Sequence, residues 1–184
     1  MRLDGRHALA LAAILIIALP SLADAQTKRR GKKEEQAAPA SPLDKRDRAV
    51  AAPGTPFHGR AYWQATAQCG GIYFKLGTVI SDAAIRAKVV KPDPAAYAQL
   101  SKEADNASRT ATAFFEASER FLIADRKLAR DEAVMTYDAV ASSNGDRLKT
   151  AEAAVQAAKP CPELYKTCRG AFPQVCNDNS ALTN

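Results

Sequence analysis

Four cysteines hold most of the reactive chemistry in this sequence. Cys161, Cys168 and Cys176 crowd into KPCPELYKTCRGAFPQVC, and Cys69 lies far upstream. Such a set can bind metal, cycle as a redox centre, or pair. A cysteine zinc site shows C-x2–4-C pairs, whereas the gaps here are six and seven residues. A thioredoxin-like centre needs C-x-x-C and covalent haem needs C-x-x-C-H; neither occurs. The spacing therefore predicts disulfide staples, with no metal and no cofactor.

Other catalytic groups are scarce. His58 is the one histidine beyond the first few residues, and it sits in Pro-rich sequence. A lone imidazole is neither a metal site nor a triad. There is no G-x-S-x-G, and Cys69-Gly70-Gly71 lacks the Lys-Ser/Thr of a phosphate loop. Glu116 with Glu119, and Asp125 with Asp131 and Glu132, fall at helical spacing. Arg120, Arg126, Lys127 and Arg130 are interleaved with them, as on a solvated helix face. These residues predict a non-catalytic protein.

Whether the thiols pair depends on the compartment, and the first residues bear on that. Arg2, Arg6 and His7 precede an unbroken apolar run of twelve residues, Ala8 to Leu19, then Pro20 and Ala23-Asp24-Ala25. This is the pattern of a secretory signal peptide, residues 1–25, cleaved before Gln26. Twelve helical residues reach only ~18 Å, short of a ~30 Å hydrocarbon core. The expected location is the periplasm or the medium of a bacterium, where thiols oxidise.

Residues 26–56 contain four prolines and almost no large apolar side chains. That composition predicts a disordered basic linker. Over 26–50 there are eight Lys/Arg against four Asp/Glu; over 51–184 the count is sixteen against fourteen. Lys28, Arg29, Arg30, Lys32 and Lys33 form a candidate tether to an anionic surface. Without interleaved aromatics, and with a near-neutral remainder, nucleic acid is not the expected partner.

From Arg60 onward the pattern is helical. Tyr62, Thr66, Cys69, Tyr73, Leu76, Ile80 and Ala83 recur at alternating spacings of four and three. A first helix is expected over 60–89. It contains Gly70, Gly71 and Gly77, and Gly70 and Gly77 suggest close approach of another backbone. Lys91-Pro92-Asp93-Pro94 ends it, with Asp93 as the next cap. A second helix is expected to break near Ala124–Lys127, with a third starting near Leu128. Ser142–Asp146 reads as a turn. Leu148, Ala151, Val155 and Ala158 mark another helix, and Pro162–Arg169 a short last one. The fold class is all-α: a small antiparallel bundle of three to four main helices plus a short C-terminal helix, occupying 57–176, with 177–184 a flexible tail.

On a short helix Cys161 and Cys168 share a face but lie ~10.5 Å apart along the axis, beyond the ~7 Å limit for a disulfide. Cys69 must then pair with one of them and Cys176 with the other; both arrangements remain open. Trp63, Tyr73, Phe74, Phe114 and Phe115 crowd the first two helices and outline a candidate groove for an apolar ligand or partner. The chain is thus expected to be an exported, non-catalytic helical protein that binds a partner in the cell envelope, either a protein or an anionic surface. A bundle holding a small apolar ligand between its first two helices is the alternative.

Overall fold

A computed structural model describes residues 44–90 and 92–176. The expected signal peptide, the candidate tether cluster Lys28–Lys33 and the expected 177–184 tail lie outside the described residues. Five helices follow in order: α1 (Tyr62–Val89), α2 (Pro94–Arg126), α3 (Arg130–Arg147), α4 (Ala151–Ala158) and α5 (Cys161–Ala171). The all-α bundle expected from periodicity is what forms. No helix among the described residues is long and apolar enough to cross a membrane.

α1 and α2 are the long antiparallel pair on which the rest is built. The Asp93 side chain accepts from the Ala96 N–H and Pro94 occupies the first turn, as the sequence suggested. α2 ends where Lys127 adopts the left-handed conformation, φ 59°. The Glu132 carboxylate then accepts from the Ala129 N–H to start α3. The break expected near Ala124–Leu128 is therefore real. The expected turn at Ser142–Asp146 is not. α3 runs through it to Arg147, because Ser143 and Asn144 donate back to the Val140 carbonyl and Gly145 packs on the Gly71 backbone. The turn falls at Leu148–Thr150, where the Thr150 hydroxyl caps α4.

The core gathers Tyr62, Phe114, Phe121, Leu122 and Leu164. Between α1 and α2 the buried hydroxyls of Thr66 and Ser118 meet at 2.8 Å. Two hydrogens serve this contact and the Tyr62 and Phe114 carbonyls behind it, so one hydroxyl donates across and the other donates back to its own helix. The bundle is stapled twice, by Cys69–Cys161 and Cys168–Cys176, with Cα separations of 5.7 and 5.8 Å. Of the two open arrangements, this is the one with the shorter second loop.

Residues 44–56 correct the linker expectation. They lie on the bundle as a strap rather than away from it. Val50 and Phe57 are in the core, and Val50 and Arg60 are joined by a backbone hydrogen bond of 2.8 Å. Two apolar anchors and a set of ion pairs hold a segment whose mean composition argues for disorder.

Candidate functional site

Two constellations stand out, one holding the strap and one open to solvent. The first is an exchange of ion pairs between two Asp-Arg dipeptides. Arg126 grips Asp47 through Nε and an Nη, at 2.8 and 2.6 Å. Arg48 grips Asp125 at 2.7 Å through Nε, while its backbone N–H also reaches that carboxylate. Both guanidiniums lie on rings: Arg126 over Trp63 at 4.8 Å, and Arg48 over Phe121 and Phe172 at 4.7 Å each. The Asp47 side chain is 1% exposed. Burial, its largest influence, pushes its pKa up. The Arg126 hydrogen bonds, the Trp63 indole and the guanidinium charge outweigh that, and the carboxyl sits below its ordinary value. The buried indole N–H has no hydrogen bond of good geometry, so its help is a dipole's. Asp125 and Arg126 thus belong to a buried clamp rather than to the solvated face their neighbours suggested. Asp-Arg occurs at 47–48, 125–126 and 146–147; the first two engage each other, and the sequence alone does not set them apart from the third.

The second constellation is a cleft of about 350 Å³ lined by Gly71, Phe74, Lys75, Phe115, Asp138 and Gly145 among others. Its floor is the place where α1 and α3 meet. A Cβ at Gly71 would run into the Ala141 carbonyl, and one at Gly145 would come within 3.2 Å of the Gly71 oxygen. Backbone approach is expected at Gly70 and Gly77; the tightest one occurs at Gly71. Gly77 does face the α2 backbone, with the Ala104 carbonyl 3.6 Å from its Cβ position beside Ser108, whereas Gly70 lies under the Phe115 ring.

The structure divides the expected aromatic groove. Trp63 and Phe114 are buried, and Phe114 packs on Tyr73 and Tyr165 at 5.8 and 5.3 Å. That set fills the space between α1 and α2. Phe115 turns the other way, stacked on Tyr137 at 5.5 Å, and Phe74 stands 63% exposed at the cleft. The opening therefore lies on the α3 side. Lys75, Asp138 and Asp146 supply its charged rim; the turn reading of Ser142–Asp146 hid the last of these. Burial, then the Glu119 and Asp138 carboxylates, push the Tyr137 phenol above its ordinary value, so it stays neutral at physiological pH.

The cysteines are all paired, which fits a chain that matures outside a reducing compartment. His58 is exposed on the strap, away from both constellations. Among the described residues no group of three or more His, Cys, Asp or Glu side chains is placed to hold a metal. The cleft combines two exposed or half-exposed rings with one cation and two carboxylates. Compared with known proteins, the chain matches no family model, no curated protein and no solved structure.

Proposed function

We propose that this is an exported, non-catalytic binding protein of the bacterial cell envelope. It docks an apolar side chain or short segment of a partner protein in the α1–α3 cleft. The exposure of Phe74 at the mouth of that cleft carries the reading. A large ring left in water beside an apolar hollow gains free energy when a partner covers both, at roughly 25 cal/mol for each Å² removed from water. Lys75 and Asp138 at the rim would orient the incoming segment through charge. The signal-peptide pattern and the paired cysteines support placement outside the cytosol, and N-terminal sequencing of exported protein should begin at Gln26.

The test is site-specific photo-cross-linking in the native envelope. A photoreactive amino acid at position 74 should give one discrete adduct, and the same residue at exposed Val155 should give none. Phe74→Ser should abolish the interaction in a protein that still folds. Equal labelling from both positions, or none from 74, refutes the reading. The small-ligand alternative has less room than expected, since the space between α1 and α2 is filled by side chains.

A further inference from the structure

The α1–α2 pair extends well past the rest of the bundle. Beyond Gly77, α1 buries only Ala84, and α2 buries nothing before Ala107. From Gly77 to Val89 is ~18 Å of helix at 1.5 Å per residue. The far end of this arm carries the most exposed large aliphatic pair among the described residues: Val89 is 69% and Val90 78% exposed, with Ile85 at 55% one turn back. Arg86 and Lys88 share the same final turn of α1, which has basic residues. The first turn of α2 has no acidic residue. Lys88 lies over the Tyr97 ring at 5.1 Å. The carboxylate at the tip, Asp93, is engaged as the cap of α2. An open hollow of about 540 Å³ lies between Arg86, Val90, Pro92 and Pro94.

We infer that this tip is a contact site for an anionic phospholipid surface. Ile85, Val89 and Val90 enter the boundary between headgroups and acyl chains, while Arg86 and Lys88 pair with lipid phosphates. The arrangement is specific in two ways. Ile85 and Val89 lie four apart on one line, and Val90 sits about 100° round from Val89, so the three spread over the helix end instead of forming a long stripe. Two aligned anchors fall short of the row at i, i+3 or i+4, and i+7 that a protein groove reads, whereas a fluid medium takes an apolar end of any outline. Second, a tip meeting the tip of another copy would oppose Arg86 and Lys88 to their own equivalents, without acids in the terminal turns to pair them. An anionic surface instead attracts both cations, whose alkyl stems can lie along the valines. The site is separate from the cleft and does not depend on what the cleft binds.

The test uses the oxidised chain from Gln26 and sedimentation with vesicles of equimolar phosphatidylglycerol and phosphatidylcholine, against vesicles of phosphatidylcholine alone. Binding should be confined to the anionic vesicles. Each basic residue near such a surface contributes about 1 kcal/mol. Arg86→Gln with Lys88→Gln should therefore weaken partition by about thirtyfold, at 1.4 kcal/mol per factor of ten. Val89→Ser with Val90→Ser should weaken it by roughly tenfold through lost apolar burial. All four side chains are exposed, and thermal melts of both variants should match the parent. Three results overturn the inference. One is no binding by the parent; another is equal binding by both variants, which would place the affinity in Lys28–Lys33. The third is a parent dimer that the valine variant dissolves while vesicle binding persists.

Discussion

Replacing Arg126 with glutamine removes the cation from a carboxylate that has almost no access to water. Asp47 keeps its buried place in the strap but loses both charge-assisted hydrogen bonds. Breaking a buried ion pair from one side costs ~3–5 kcal/mol. Arg126 is itself partly exposed, which puts the expected loss near the lower end. Lost stacking on Trp63 adds ~0.5–1 kcal/mol. About 3–4 kcal/mol is a large part of the ~5–15 kcal/mol available to a domain. For a folded unit of this size it should lower Tm by roughly 10 °C.

The pH dependence gives the sharper check. In the parent, Asp47 is held below its ordinary pKa, so its contribution is present above the unfolded value and fades as pH falls through the folded one. In Arg126→Gln the opposing influence, burial, is left dominant and the folded pKa rises above the unfolded value. The penalty is then full at neutral pH and shrinks as Asp47 takes up a proton, towards about pH 4. Urea unfolding followed by far-UV circular dichroism, with Trp63 emission reporting on the strap, should show the gap between parent and variant narrowing in acid. Adding Asp47→Asn to the variant should recover part of the loss at neutral pH. A gap below about 1 kcal/mol, or one that does not change with pH, would refute the clamp as the element fixing the strap.

The paired glycines should respond in opposite ways. Gly71→Ala drives a Cβ into the Ala141 backbone and should cost ~1–3 kcal/mol by forcing α1 and α3 apart. Gly77→Ala is tight only against the Ser108 hydroxyl at 3.3 Å, which can rotate away, with Ala107 Cβ and the Ala104 carbonyl at ordinary contact distances of 3.5 and 3.6 Å, and should be neutral or gain up to ~1 kcal/mol of helix propensity; thermal melts distinguish the two. Removing Cys69–Cys161 by paired serine substitution opens a 92-residue span and should cost ~4–5 kcal/mol. Removing Cys168–Cys176, with a span of 8, should cost ~2–3 kcal/mol, both measured by urea unfolding. A larger loss for the short loop would point to native packing around Phe172 as the dominant effect.

Much of the helical frame was legible because long amphipathic runs and their stop signals are local. Asp93-Pro94 and the faded stripe after Ala124 announced boundaries that the backbone respects. The strap was illegible for the opposite reason. Its cohesion rests on Asp47 and Arg48 meeting partners seventy-nine and seventy-seven residues away, and composition averages such pairings into polarity. Two isolated anchors, Val50 and Phe57, gave no period to detect. Ser142–Asp146 misled because serine and asparagine favour turns only when no carbonyl behind them is free to accept; here Val140 supplies one. The cleft followed from these misses. Gly145 and Asp146 join a binding rim only once α3 is seen to run through them, and Phe74, grouped by sequence with the aromatics of the first two helices, faces the α3 side instead.

Arg48 lies over both Phe121 and Phe172, so a residue near the start of the folded unit closes on one near its end. A chain that emerges with its N-terminus leading cannot make this contact until position 172 has followed. Cys69 likewise has no partner until Cys161 has emerged. During that interval the α1–α2 hairpin is complete, but Phe114 lacks Tyr165 and Tyr62 lacks Phe172. The order of emergence therefore sets the order of assembly: a hairpin with an uncovered aromatic flank first, and the locked bundle only when the last segment arrives.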